Sequence, residues 1–226
     1  MRELLLYLMC QWDRIILDVM TNWEKDKIDL NNIGIATFDE VDTNIIDYLK
    51  TQIKNKKQLK NANAILAGHI KDEYHIKVTN DYSNYICNCI GNNPIASNYL
   101  NKIDILNKNC LLFLDRSWIN FQKKHEFNPL HDHQGVFSFI IFMQIPYKLK
   151  EELKVYTDAN GQYTSCLSFI FTDTNGSVVD KLCYVDESYL YKMLIFPAKL
   201  KHMVYPFYTS DKERITVSGN IKFLVQ

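Results

Sequence analysis

Neither sign of charge is in excess in this sequence, because 26 Lys and Arg residues are balanced by 26 Asp and Glu residues. A domain that binds nucleic acid usually carries a basic surplus, so the balance argues against a nucleic-acid partner. A long apolar run is also missing. The N-terminal stretch LLLYLMC spans only residues 4–10, whereas a transmembrane helix needs about 20 residues. We therefore expect no signal peptide, no membrane anchor and no membrane partner.

Closely spaced cysteines are lacking too. The six Cys residues are scattered, and the nearest pair, Cys87 and Cys89, lacks the two-residue spacer of zinc knuckles and redox motifs. Reduced thiols in the cytoplasm are the expectation. Gly and Pro are scarce, at 7 and 5 residues, while Asn, Lys and Ile are abundant. This composition suggests an AT-rich genome such as that of a phage, in which case the compartment would be the host cytoplasm.

Apolar surface is what the sequence has in quantity. Hydrophobic residues make up 47% and aromatic residues 13% of its 226 positions, which is enough for one domain with a sizeable core. Apolar positions at helical spacing in residues 3–24 predict an amphipathic helix, which packs on the core or could join a homodimer interface. Asp42 is a good N-cap for a second helix. The other N-terminal elements predicted are strands over 31–38 and 74–78 and a helix over 95–106.

The second half of the sequence is predicted to be all-β. From residue 110 onwards, short runs rich in β-branched and aromatic residues alternate with Gly, Asn, Asp and Pro clusters; they include CLLFLDRSWINFQ, VFSFIIFMQIP, SCLSFIFT, YKMLIFP, HMVYPFY and RITVSGNIKFLV. The fold class is therefore mostly β with N-terminal helices, and the second half is a sandwich, a jelly roll or a barrel. We expect one structural unit, with residues 1–109 as a helical extension with flanking strands packed on a core of residues 110–226.

The stretch NPLHDHQG places three polar residues directly before the most apolar strand. Side chains alternate along an extended chain, so His131 and His133 point to one side and Asp132 to the other. Two imidazoles on one side can bind one metal ion. The alternative is that both are ordinary loop histidines that interact with solvent or with a carboxylate.

Two further residues strengthen the metal hypothesis. His202 interrupts an aromatic-rich strand, and Arg214 stands at the head of a strand that should be mostly buried. Burying a cation costs free energy unless an opposite charge pairs with it. The planar guanidinium group can form two parallel hydrogen bonds with a carboxylate. Thr216 shares the face of Arg214 and could bind the same anion. The alternative for Arg214 is a surface position paired with Asp211 or Glu213.

Together, these motifs resemble those of the iron(II)- and 2-oxoglutarate-dependent oxygenases, whose fold is a double-stranded β-helix, or jelly roll. WINFQKKHEFNPLHDHQG, MLIFPAKLKHMVYPFY and ERITVSGNIKF are similar to a subgroup common in tailed phages and marine bacteria, with His-x-His in the first motif. The resemblance implies that His131, His133 and His202 bind Fe(II) and act in catalysis, and that Arg214 and Thr216 hold 2-oxoglutarate. It covers about residues 110–224 and says little about residues 1–60.

Position 133 departs from the superfamily pattern, which has Asp or Glu there. Three imidazoles would then hold the metal unless Asp132 takes the place of His133, and three histidines also suit zinc. Asn120 and Gln122 share a strand face, and Asn120 could hydrogen-bond the 2-oxoglutarate C1 carboxylate or the substrate.

The sequence thus predicts a dioxygenase that hydroxylates a small molecule or a peptidyl side chain. Two other functions are compatible with the same residues. One is a cupin-like metalloprotein that does not use 2-oxoglutarate, and the other is a non-catalytic jelly-roll binding module.

Overall fold

The structure, a computed structural model, describes residues 33–38, 40–103, 110–173 and 175–224. The helix predicted in residues 3–24 lies outside these ranges. The α-helices are α1 (Thr43–Lys54), α2 (Asn80–Asn92), α3 (Pro94–Lys102) and α4 (Leu149–Glu152), and the strands are β1 (Ala36–Phe38), β2 (Glu73–Ile76), β3 (Leu111–Gln122), β4 (Asn128–His131), β5 (Phe137–Gln144), β6 (Cys166–Thr172), β7 (Val178–Tyr184), β8 (Met193–Pro197), β9 (Lys201–Val204) and β10 (Arg214–Leu224).

The helices begin at side-chain caps. The Asp42 carboxylate accepts a hydrogen bond from the Asn44 backbone N–H at 2.8 Å and starts α1, as predicted. The Asn93 side chain caps α3, which ends at Lys102 rather than near residue 106. Helix α2 was not predicted from the sequence. None of the described helices is both long and apolar enough to cross a bilayer.

In the described ranges, ten antiparallel strands form two sheets. The larger has the order β1-β8-β5-β10-β3-β2 and the smaller has the order β4-β9-β6-β7. Strands β1 and β2 come from the N-terminal half, yet they form the two edges of the larger sheet. The boundary at residues 109 and 110 remains a prediction, since residues 104–109 are among those that the structure does not describe.

The larger sheet has a different chemical character on each face. Along β3 and β10, Ile119, Phe121 and Val217 belong to the apolar cluster that includes residues of α1 and α2. The alternate positions face the smaller sheet, and a second apolar cluster includes Ile140 of β5 in the larger sheet and Phe169 of β6 in the smaller sheet. At one end of this inner face the side chains are polar: Trp118, Asn120, Gln122, Arg214, Thr216 and Ser218 line a cleft. The alternation of side chains along these strands thus places a polar cleft within an apolar interior.

Candidate metal centre and active site

Two neighbouring strands of the smaller sheet bring three imidazoles together. His131 at the end of β4 lies directly opposite His202 on β9 in the strand register. His133 follows two residues later. The ring centroids of His131 and His202 are 4.3 Å apart, and those of His133 lie 4.9 and 5.0 Å from the other two. One ligand atom from each ring lies within 4.8 Å of the others, the only such group of metal-binding side chains in the described residues.

Backbone hydrogen bonds fix the tautomer of two of these rings. His131 Nδ1 lies 2.6 Å from the Pro129 carbonyl oxygen, and His202 Nδ1 lies 2.9 Å from the Leu200 carbonyl oxygen. A carbonyl only accepts, so each Nδ1 carries the proton and each Nε2 keeps a free lone pair. Metal-binding histidines are normally oriented in this way. The donor set fits a divalent metal such as iron or zinc.

Burial keeps the three rings neutral. It lowers the pKa of His202 to about 3, with a further contribution from the two neighbouring imidazoles. Burial and the charge of protonated His131 lower the pKa of His133 to about 4. Burial also lowers the pKa of His131. Because a metal binds neutral imidazole, these rings need lose no protons to accept one near pH 7.

These lowered pKa values make the stability of the metal-free protein depend on pH. Below the unfolded-state pKa of about 6.5, the unfolded chain binds protons that the folded chain does not, so stability falls with pH. We expect His133 and His202 each to lower the free energy of unfolding, with chelator present, by about 2 kcal/mol between pH 7 and pH 5. Urea titrations at both pH values measure this drop. It should shrink in His133→Gln, which stays neutral; an equal drop in that variant would contradict the account.

Asp132 does not belong to the cluster. Its carboxylate pairs with Lys201 at 2.6 Å and with Lys199 at 3.5 Å. The Lys201 hydrogen bond is the main cause of the lowered pKa of Asp132. The side chain therefore lies on the lysine side of the segment, opposite to the imidazoles.

Arg214 lies in the interior and is only 2% exposed. Its Nε and Nη2 donate to Gln122 Oε1 at 3.0 and 2.7 Å. Nη1 donates to the Tyr147 hydroxyl and to the Ser165 carbonyl, and Nη2 also donates to the Tyr205 carbonyl. All of these acceptors are neutral. Among the described residues no carboxylate pairs with this cation, so pairing with Asp211 or Glu213 is excluded.

The polar cleft joins the histidines to Arg214. It encloses about 670 Å³ of space, part of which is open to solvent, and the three imidazoles, Thr216 and Asn120 all line it. Asn120 Nδ2 donates to Thr216 Oγ1 at 3.1 Å, whereas its buried Oδ1 has no hydrogen-bond partner among the described residues.

Sequence reasoning missed three residues of this region. The Tyr147 hydroxyl accepts a hydrogen bond from Arg214. Glu73 and Asn128 line the cleft and were not singled out. An aromatic residue after Pro146 gives no sign of a polar role, and the position of Glu73 depends on how β2 pairs with β3.

Comparison with known proteins shows a match to one family model. The model of the family described as "Putative 2OG-Fe(II) oxygenase" matches residues 116–220, the stretch that carries all three histidines and Arg214. No curated protein matches the sequence. The match favours this function over a cupin-like metalloprotein and over a non-catalytic binding module.

Solved structures are similar in fold. A prolyl-4-hydroxylase of Pseudomonas putida has a TM-score of 0.51 and 12% identity, over 87% of this chain and 96% of that chain. An oxidoreductase of the 2OG-Fe(II) oxygenase family from Burkholderia pseudomallei has a TM-score of 0.49 and 12% identity, over 90% and 89%. A prolyl hydroxylase from Trichoplax adhaerens, in complex with a hypoxia inducible factor peptide fragment, has a TM-score of 0.48 and 12% identity, over 92% of both chains.

At 12% identity, the likeness to the Pseudomonas protein shows the fold alone. It confirms the predicted double-stranded β-helix. The sequence match indicates the activity, that of an oxygenase that requires Fe(II) and 2-oxoglutarate. Residues 116–220, a little under half of the chain, are therefore similar to the iron(II)- and 2-oxoglutarate-dependent oxygenases whose model they match.

Proposed function

We propose that His131, His133 and His202 bind the catalytic Fe(II) of a 2-oxoglutarate-dependent hydroxylase. The observation that carries this assignment is the convergence of three neutral imidazoles, two of them held through Nδ1 by backbone carbonyls, on one side of the cleft. When bound, iron and 2-oxoglutarate would supply the oxidising chemistry: one atom of dioxygen enters succinate as 2-oxoglutarate loses carbon dioxide, and the other hydroxylates a substrate C–H bond. The protein positions the reactants and excludes water.

The third ligand in this proposal is His133 rather than Asp132. Strand alternation favours it, and the pairing of Asp132 with Lys201 and Lys199 keeps that carboxylate away from the other two rings. Phe196 and Trp118 support the set, because their rings lie 4.8 Å from His202 and 5.6 Å from His133. Rigid aromatic neighbours limit the movement of the imidazoles.

Arg214 is the proposed partner of the far carboxylate of 2-oxoglutarate. A buried cation whose partners are all neutral still lacks a counter-charge. Gln122 Oε1 accepts from Nε and Nη2, the edge at which a carboxylate forms two parallel bonds. The co-substrate carboxylate would take the place of this amide oxygen, and Thr216 would donate its hydroxyl to the same group. Asn120, bonded to Thr216, would orient that hydroxyl or contact the co-substrate directly.

The proposed substrate is a small molecule or a peptidyl side chain held in the remainder of the cleft. The balanced charge of the chain argues against nucleic acid. A cytoplasmic location, in the host if a phage encodes the chain, fits the five free cysteines of the described residues. A homodimer remains a prediction that rests on residues 3–24.

Turnover of the co-substrate tests this function without knowledge of the substrate. Because decarboxylation of 2-oxoglutarate precedes attack on the substrate in the proposed reaction, we expect succinate to form slowly when Fe(II), 2-oxoglutarate and oxygen are all supplied. Succinate is quantified by mass spectrometry, and the protein loaded with Zn(II) serves as the control. Equal succinate with zinc, or none with iron in a folded and metal-loaded protein, would count against the proposal.

A further inference from the structure

A second polar cluster lies in the cleft on the side formed by β2 and the segment 66–70. Glu73 is the first residue of β2 and is only 1% exposed. In the strand register it lies beside Asn120, which lies in turn beside Thr216. Adjacent strands are about 4.8 Å apart, so Glu73 is about two strand spacings from the proposed 2-oxoglutarate position. It is therefore placed to contact a second molecule in the cleft rather than the co-substrate carboxylate.

Few interactions with the described residues stabilise the Glu73 carboxylate. From the described residues it accepts one long hydrogen bond, from Asn63 Nδ2 at 3.5 Å. No lysine, arginine or histidine of the described ranges forms an ion pair with it. Burial, with a smaller contribution from the negative charge of Glu126, raises its pKa to about 7. A carboxylate in such surroundings is costly to ionise unless a cation or a strong donor joins it.

The neighbouring side chains present acceptors rather than cations. Within the part of the chain that the structure describes, the buried Oδ1 atoms of Asn120 and Asn128 have no hydrogen-bond partner. The chain also passes very close to this cluster at Gly68, where a Cβ would lie 2.3 Å from Asn128 Oδ1 and 2.9 Å from Glu73 Oε1. Buried polar atoms in folded proteins are nearly always hydrogen-bonded, so three acceptor groups around one space indicate a missing donor.

The rest of this side of the cleft is apolar. Leu66, Ala67 and Ile70 line it together with Glu73. A ligand with a cationic group at the end of an alkyl chain would fit this side of the cleft. Its cationic group would contact the acceptor oxygens, and its alkyl chain would contact the aliphatic side chains.

We propose that Glu73, with Asn128 and Asn120, recognises an ammonium or guanidinium group of the substrate. This inference rests on the proposed function, because it assigns the substrate class of the same cleft. The carboxylate supplies the opposite charge and the two amide oxygens accept the remaining N–H bonds. The cation can belong to a free amine or to the side chain of a peptidyl lysine or arginine.

Small organic cations test the proposal directly. Butylammonium and butylguanidinium are titrated into protein loaded with Fe(II) and 2-oxoglutarate under anaerobic conditions, and binding is followed by calorimetry. The uncharged probe is 1-pentanol. We expect the cations to bind at least 10-fold more tightly than the alcohol, and Glu73→Gln to weaken cation binding by about 10- to 100-fold while leaving alcohol binding within about 3-fold.

A matched control removes a nearby carboxylate that does not line the cleft. Glu126→Gln should change cation binding by less than about 3-fold, because the proposed contact is direct rather than a long-range attraction. Equal losses in both variants, or cation binding unchanged by Glu73→Gln, would overturn the proposal. The unfolding midpoint of Glu73→Gln should not be lower than that of the wild type, since the change removes a buried charge.

Two further measurements show whether the cation belongs to a free amine or to a peptide, and whether this inference or the proposed function has failed. Acetyl-lysine-methylamide and acetyl-arginine-methylamide carry the same groups on a peptide backbone, and tighter binding of these than of the butyl ions indicates a peptidyl substrate. The visible absorption band of the iron and 2-oxoglutarate chelate is recorded on the wild type in parallel. Without that band, the proposed function itself fails; with the band but without cation selectivity, only this inference fails.

Discussion

His202→Ala is expected to lose iron(II) affinity by more than about 100-fold, with no measurable succinate formation. The expected loss exceeds the cost of removing a residue that merely orients a ligand, which is about 10- to 100-fold. Two imidazoles alone cannot complete the proposed three-nitrogen site. Anaerobic titration with Fe(II), followed by metal analysis after gel filtration, measures the loss.

His202 is only 2% exposed, so its removal also leaves a cavity, and His133→Ala provides a second test at a less buried position. Two controls lie outside the cluster. Asp132→Ala removes the neighbouring carboxylate, and His125→Asn replaces an exposed histidine whose φ of 68° an asparagine tolerates. Both controls should retain iron affinity within about 3-fold. If Asp132→Ala lost iron and His133→Ala kept it, the assignment of the third ligand would be wrong.

Arg214→Ala is expected to weaken 2-oxoglutarate binding by about 30- to 5000-fold while iron still binds. Removing one partner of a buried, hydrogen-bonded charge pair costs about 2–5 kcal/mol, which corresponds to that range. The remaining carboxylate of 2-oxoglutarate would have only neutral donors such as Thr216. Calorimetric titration of 2-oxoglutarate into the iron-loaded, anaerobic protein measures the affinity.

Arg116→Ala is the matched control, since Arg116 lies on the neighbouring strand β3 but pairs with Asp115 at the surface. We expect its 2-oxoglutarate affinity to be unchanged. Arg214 also ties together Gln122, Tyr147 and two backbone carbonyls, so its loss lowers stability. Circular dichroism and retained iron binding distinguish this effect from the loss of an anion partner. Equal 2-oxoglutarate affinity in folded Arg214→Ala and wild type would favour a metalloenzyme that does not use this co-substrate.

Much of the fold follows from local patterns in the sequence. The two-residue alternation of β3, β5 and β10 fixes which side chains face the cleft, and the same alternation puts His131 and His133 on one side. The N-cap at Asp42 predicts the start of α1. Helix α2 escaped prediction because its buried stripe consists of only Tyr82, Ile86 and Ile90 among many polar residues.

The site could be predicted only where a motif marks it. The histidines and Arg214 belong to recognisable sequence motifs. Glu73, in contrast, reaches the cleft because β2 pairs with a strand that begins 38 positions later in the sequence. Pairing between distant segments is set by tertiary packing, which no local pattern encodes. For the same reason, the acceptors around Arg214 could not be foreseen, since Tyr147, the Ser165 carbonyl and the Tyr205 carbonyl come from separate loops.

One spectroscopic titration tests the central claim most directly. Fe(II) is added to the metal-free protein in the absence of oxygen, first alone and then with 2-oxoglutarate, and the visible spectrum is recorded at each step. The account predicts a charge-transfer band that appears only when both are present, that saturates at one iron per chain and that is absent in His202→Ala. Iron that binds at this stoichiometry without any band on addition of 2-oxoglutarate would contradict it.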